Sequence, residues 1–137
     1  NTMVSGSQQL KRSSMLGWYP TPPFNFSSGK IMIIDHRTYD FHPGRMKAWI
    51  DVYEEYALPL QKKYLGNFIG FFTTEVGPIN QVTFMWGFQD AGDRERRRAE
   101  MEADPGWAEF ARRSSELGAL KQQTDKLIRP VSFSPIQ

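Results

Sequence analysis

The alternation of hydrophobic and polar positions sorts this chain into strands and helices in a definite order. From Ile31 to Tyr39 the side chains divide into two sets. Ile31, Ile33, Asp35, Arg37 and Tyr39 fall on one face, and Met32, Ile34, His36 and Thr38 on the other, which is the period of a strand. After Pro43 the period lengthens. At about 100° per residue, Met46, Trp49, Val52, Tyr53, Tyr56 and Leu60 share one side of a helix, with Pro43 suited to its first turn and Gly66 to its end. Pro59 has no N–H to offer the carbonyl of Glu55, so the spacing predicts a kink or break there. Phe68 to Val76 and Gln81 to Phe88 read as two more strands. In the second of these, Val82, Phe84, Trp86 and Phe88 alternate with Gln81, Thr83, Met85 and Gly87. The intervening Gly77-Pro78-Ile79-Asn80 is short enough to make the pair a hairpin.

Asp90, with Asp93 three residues on in the capping-box position, predicts a helix running to about Ala103. Asp104-Pro105 repeats the pattern of an N-cap followed by proline, and the helix it opens is expected to bury Trp107, Phe110, Ala111 and Leu117. Lys121 to Ile128 reads as a weak, polar strand suited to a sheet edge, ending at Pro130. The resulting order, βαββαβ with the second helix in two pieces, predicts an α+β ferredoxin-like fold: an antiparallel four-stranded sheet with helices on one face. The opposite face is apolar and needs a cover. A second copy of the same sheet is the simplest one, which predicts a homodimer.

Composition narrows the function classes. The chain has 137 residues, of which 39% are hydrophobic and 23% charged, and a net charge of +2. That suits one domain with a real core. It falls short of the concentrated basic stripe of a nucleic-acid binder, and Asn67 to Phe72 lacks the residue order of an RNA-recognition strand. There is no cysteine, which excludes disulfides, thiolate nucleophiles and cysteine-bound metal, and fits a reducing, cytoplasmic compartment. No run approaches the roughly 18 apolar residues of a membrane span. His36 and His42 do not have metal-binding spacing, and neither a GxGxxG nor a Walker sequence occurs, so no metal or cofactor is expected.

Residues 1–30 differ in character from the rest. Ser13-Ser14, Pro20, Pro22-Pro23 and Ser27-Ser28-Gly29 break any period, no acidic residue precedes Asp35, and no apolar core of a secretory signal is present. They read as an N-terminal arm, partly vector-derived at its extreme end, whose Trp18, Tyr19, Phe24 and Phe26 would dock on the domain. A basic organellar presequence is the alternative. The folded domain is expected over 31–130 and a C-terminal tail over 131–137.

The residues able to carry chemistry are few. Asp35, Arg37 and Tyr39 share a strand face, with about 6.6 Å between neighbours, so Arg37 can bridge the other two. That makes either an ion-paired patch fixing register or a guanidinium and phenol aimed at an anionic or carbonyl ligand. His36, on the opposite face, reads as a partly buried histidine bonded to backbone, or as a proton-transfer group or axial ligand. In the second helix Arg94, Arg97 and Arg98 lie in one arc and are expected on the solvated side. Arg96 shares the small-residue side with Gly92, Ala99 and Ala103, and is expected to point inward to a carboxylate such as Glu75 or Asp35. On that reading Arg96→Ala destabilises more than Arg98→Ala. Glu75 is expected to be paired. Trp86, Phe72 and Trp107 are expected in the core, or lining a pocket. His36, Arg37, Tyr39, Glu75, Trp86 and Arg96 are the candidate ligand-binding residues.

Several blocks, in order, resemble the NIPSNAP family. They are Asp35-His36-Arg37-Thr38-Tyr39 with Pro43-Gly44, Leu58-Pro59-Leu60-Gln61 with Leu65-Gly66, and the run from Gly70-Phe71-Phe72 to Asn80-Gln81. Trp86, Asp93-Arg94-Glu95-Arg96-Arg97-Arg98, and Asp104-Pro105 with Trp107 continue the match. The resemblance covers 31–130 and implies a dimeric α/β barrel, in which two ferredoxin-like sheets face each other. Members mostly lack an assigned reaction. Two readings of function follow: a domain that binds a small hydrophobic molecule or a second copy of itself, or a cofactor-independent monooxygenase or isomerase acting on a hydrophobic oxygenated molecule. Asp35-His36 stands where the family commonly has Glu-Leu, which alters any polar site there.

Overall fold

The computed structural model describes residues 30–137. The arm expected over 1–30, including its four aromatic residues, lies outside the described residues apart from Lys30. The elements run β1 (Ile33–Phe41), α1 (Met46–Val52), a π-helical turn (Tyr53–Ala57), α2 (Leu58–Tyr64), β2 (Asn67–Thr73), β3 (Gln81–Phe88), α3 (Ala91–Glu102), α4 (Pro105–Leu117) and β4 (Leu120–Ile128). The sheet order is β2-β3-β1-β4, with every pairing antiparallel, so the expected ferredoxin-like topology is present and the polar β4 is an edge.

The caps are those the sequence announces. Asp90 accepts from the Asp93 N–H at 2.7 Å, while Asp93 reaches back to accept from the Gln89 N–H at 3.0 Å. Asp104 accepts from the Gly106 N–H at 2.8 Å. The first helix ends at Gly66, whose φ of +85° closes the turn in a conformation that L side chains rarely adopt. Pro59 does not break this helix. An extra residue is absorbed just before it, where the Leu58 N–H bonds the Tyr53 carbonyl in the wider π pattern, and the helix continues as α2.

Alternate residues of the strands face two different surroundings. Ile33, Asp35, Arg37, Tyr39 and Phe41 of β1, with Val82, Phe84, Trp86 and Phe88 of β3, point under the helices. There they join Trp49, Tyr53, Ala57, Leu65, Met101 and Phe110 in the main core. The opposite face carries a smaller cluster of Ile31, Ile34 and Ile69, against which Met85 and Ile136 of the C-terminal tail pack. Ile31 packs its side chain over Gly87, the register partner of Ile34, where a Cβ would come within 2.5 Å of its Cδ1.

Two details of β2 differ from expectation. The strand ends at Thr73 rather than Val76, because the chain bends over Glu75 to Gly77 and turns at Ile79-Asn80. A bulge between Phe68 and Gly70 then shifts the alternation by one residue. Phe68 and Phe71 both point inward, and Phe72, expected in the core, is 51% exposed on the helix-free side. Ala111 is likewise exposed on α4, while Phe110 is its buried residue.

Candidate functional site

The helix-covered face of β1 places Asp35, Arg37 and Tyr39 in a row, and the row is bonded along its length. Arg37 donates to both carboxylate oxygens of Asp35, at 3.2 and 3.3 Å, and through Nη1 to the Tyr39 hydroxyl at 2.9 Å. Two residues from other elements complete the group. Arg94 of α3 donates through Nε to Asp35 at 2.9 Å. Asp125 of β4, the register partner of Arg37, lies 3.2 Å from Arg37 Nη2 and 3.4 Å from Arg94 Nη2. Two guanidinium groups therefore share two carboxylates, and the Asp35 side chain is only 2% exposed.

Its environment decides where protons sit. Burial works to raise the Asp35 carboxyl, but a hydrogen bond from Asp125 and the charges of Arg37 and Arg94 outweigh it and hold Asp35 below the usual range. Asp125 is pushed up to about 6 by burial first and then by the neighbouring Asp35 carboxylate. Of the two, Asp125 takes the shared proton first.

Beside this network a cavity of about 220 Å³ opens between the sheet and the helices. A cavity of roughly 150 Å³ is enough for a benzene ring, so this one has room for one substituted ring. Its walls are aromatic. Tyr39 meets Trp49 and Phe84 edge-on at 5.6 and 5.0 Å between ring centres, Tyr53 stacks on Trp49 at 5.3 Å, and Trp107 meets Phe110 at 5.1 Å. Polar groups interrupt the rings: Arg37, Gln61, Arg98, Ser114 and Gln123. The Trp49 indole donates to the Ser114 hydroxyl at 3.0 Å, and the Tyr53 hydroxyl donates to the Gln61 carbonyl oxygen. Burial pushes the Tyr53 phenol up, so it stays protonated and keeps that bond.

The π turn makes the Tyr53–Gln61 pair possible. Residues eight apart on a regular helix diverge by roughly 80°. One inserted residue brings their effective separation to about seven, and the divergence falls to about 20°.

Of the six sequence candidates, Arg37 and Tyr39 reach the cavity. His36 does not: it is half-buried on the helix-free face, opposite Met85 and Lys126 in register. Trp86 is core, 1% exposed and stacked on Phe68 at 4.6 Å. Glu75 is exposed in the hairpin turn and has no ion pair among the described residues. Arg96 is corrected outright. Its side chain is 70% exposed, at 3.7 Å from Asp93, while Arg94, expected in solvent, is the one that reaches Asp35.

The reason is that α3 does not approach the sheet on its small residues. Gly92, Ala99 and Ala103 are exposed, and the helix stands off on long side chains instead. Asp93 and Met101 are buried, Arg97 bonds Asp93 at 2.8 Å and the Tyr64 carbonyl at 3.2 Å, and Arg94 and Arg98 fill the gap beside them. Met101 was the available signal. It is the only large apolar residue from Ala91 to Glu102, and Arg94, Arg97 and Arg98 precede it by seven, four and three residues, on the same stripe.

Comparison with known proteins agrees with this architecture. The profile of the NIPSNAP family matches residues 34–135. A NIPSNAP family protein with unknown function from Agrobacterium tumefaciens is 34% identical with a TM-score of 0.71, covering 78% of this chain and 95% of its own. A NIPSNAP-like domain protein from Burkholderia xenovorans is 37% identical with a TM-score of 0.70, covering 78% and 91%. Among curated relatives, a NipSnap homolog from Dictyostelium discoideum is 28% identical over 122 residues, which is 85% of this chain but 53% of that protein. The chain thus spans about half the length of that relative, and 40% of the human NipSnap homolog 3A. A protein from Bacteriodes thetaiotaomicron, provisionally named an antibiotic biosynthesis monooxygenase, has a TM-score of 0.52 at 12% identity over 75% of this chain and 90% of its own, a likeness of fold alone.

Proposed function

The chain belongs to the NIPSNAP family, and on that premise we propose that it is a small-molecule-binding domain whose site is the cavity beside Arg37. The observation that carries this reading is the lining: a ring-sized space bounded by Tyr39, Trp49, Tyr53, Phe84 and Trp107, with fixed polar groups set among them. Binding pockets are mostly apolar, with a few placed polar groups for orientation. The Asp35–Arg37–Arg94–Asp125 network holds the sheet side of the pocket rigid, so its shape exists before the ligand arrives. Likeness to a provisionally named monooxygenase reaches the fold only, so turnover forms no part of this reading.

We place a second copy of the chain on the helix-free face. That face leaves Phe72 51% and Ile128 39% exposed beside the buried Ile31, Ile34 and Ile69, and this exposed apolar surface supports an interface there. Residues 31–130 are the unit to which both roles are assigned.

Trp49 and Trp107 report on occupancy. A set of single-ring quinols, acids, amides and alcohols, titrated against the full chain, is expected to shift tryptophan emission and raise the melting temperature for at least one class. No response from any class removes the pocket from consideration.

A further inference from the structure

We propose that the ligand of this cavity is an anion, a carboxylate on an aromatic or similarly planar body, and that Arg98 is its counter-charge. The proposal rests on the cavity being a ligand site and names what enters it.

The first support is the distribution of charge around the pocket. Arg37 and Arg94 are both committed to Asp35 and Asp125, through five contacts between 2.9 and 3.4 Å. Arg98 lines the cavity with its side chain 18% exposed, yet its carboxylate partner among the described residues is Glu102, at 3.4 Å and 51% exposed on the outer surface. A cation drawn out of water without a good partner is costly. Burial works against the charged form of Arg98, and the neighbouring positive charges of Arg37 and Arg94 add to that, with Asp35 and Glu102 offsetting only part. A carboxylate in the cavity supplies what Arg98 lacks.

The second support is independent of charge. The polar groups of the lining are arranged as donors. Ser114 accepts from Trp49, which leaves its own proton to give. Gln61 spends its carbonyl oxygen on Tyr53, which leaves the amide N–H₂. Tyr39 accepts from Arg37, which leaves the phenol proton. A ligand that brings acceptors satisfies them, and a carboxylate brings two oxygens to a guanidinium built for that geometry. A neutral carbonyl or alcohol meets the donors less fully and does nothing for the charge.

The test uses the full chain with benzoate and phenylacetate against benzamide and benzyl alcohol, by titration calorimetry and thermal shift. The acids are expected to bind at least tenfold more tightly than the neutral compounds. Arg98→Gln is expected to remove that preference, losing about tenfold or more for the acids, the scale of one charged hydrogen bond. It should leave the neutral compounds within about twofold. Arg98→Lys, which keeps the charge, should retain most of the acid binding. Equal affinity for acids and neutral compounds, or an acid preference unchanged in Arg98→Gln, overturns the proposal while the pocket stands. Binding of no compound at all removes the pocket and the proposal together.

Discussion

Asp35 and His36 are neighbours in the chain and opposites in circumstance. The Asp35 side chain is 2% exposed and held by two arginines, under helices that shut out water. His36 looks the other way, half-buried between Met85 and Lys126 on a face that no helix covers. The same strands make both surfaces. The lesson is that strand alternation only sorts residues into two sets. It is the helical cover that turns one set into a low-dielectric, mutually bonded constellation, and leaves the other as a surface where a charge or an imidazole remains an individual.

The sharpest way to break this contrast is to delete each neighbour in turn. Asp35→Ala leaves Arg37 and Arg94 with only the edge-strand Asp125 between them, and is expected to cost about 3–5 kcal/mol in urea unfolding, as for other broken buried pairs. His36→Ala is expected to cost under about 1 kcal/mol. Similar losses from the two would mean that the covered face is no different in kind.

Next in size is the pair of arginines whose places the sequence exchanged. Arg94→Ala removes a charged bond to a buried carboxylate and should cost about 2 kcal/mol, whereas Arg96→Ala should stay within about 0.5 kcal/mol. Melting curves of the two variants, recorded together, rank them directly.

The smallest effect is one of pH, and its sign differs between the two carboxylates. Asp35, held below its ordinary 3.8, stabilises the fold at higher pH and loses that contribution as the pH falls below 3.8. Asp125 runs the other way. Its carboxyl is raised from 3.8 to about 6, so the folded state holds that proton more firmly, and the stability it brings below 3.8 is lost as the pH rises towards 6. Asp125→Asn should therefore flatten the decline in stability between these values. Because Asp125 is more than a third exposed, solvent keeps the effect modest. An unchanged pH profile in that variant would place the shared proton elsewhere.

Much of this architecture could be read from residue types alone, because it depends on local chemistry. Asp90 and Asp104 announce helix starts, Gly66 an end, and the clean alternation from Gln81 to Phe88 gives a strand with the observed bounds. Arg37 and Tyr39 were legible as a bonded pair because strand geometry fixes their spacing. What escaped was everything set by one inserted residue or by the distance between layers. The bulge at β2 exchanged the roles of Phe71 and Phe72. The stand-off of α3 exchanged those of Arg94 and Arg96. Arg98 and Gln61 come to line one cavity only because the sheet and helices α1 to α4 close around the same space. Glu75 stands in the exposed hairpin turn, where an acid stays hydrated and needs none of the described residues as a partner.

The π turn has a consequence for anyone who would make this domain sturdier. Regular α-helix is the more stable form of Met46–Tyr64, and deleting one residue within Tyr53–Ala57 is the obvious way to obtain it. That repair would swing Trp49 and Tyr53 about 100° out of step with Gln61, separating the two walls that the irregularity holds together. In this helix, regularity and the cavity pull against each other, and a redesign scored on melting temperature alone would select for losing the cavity.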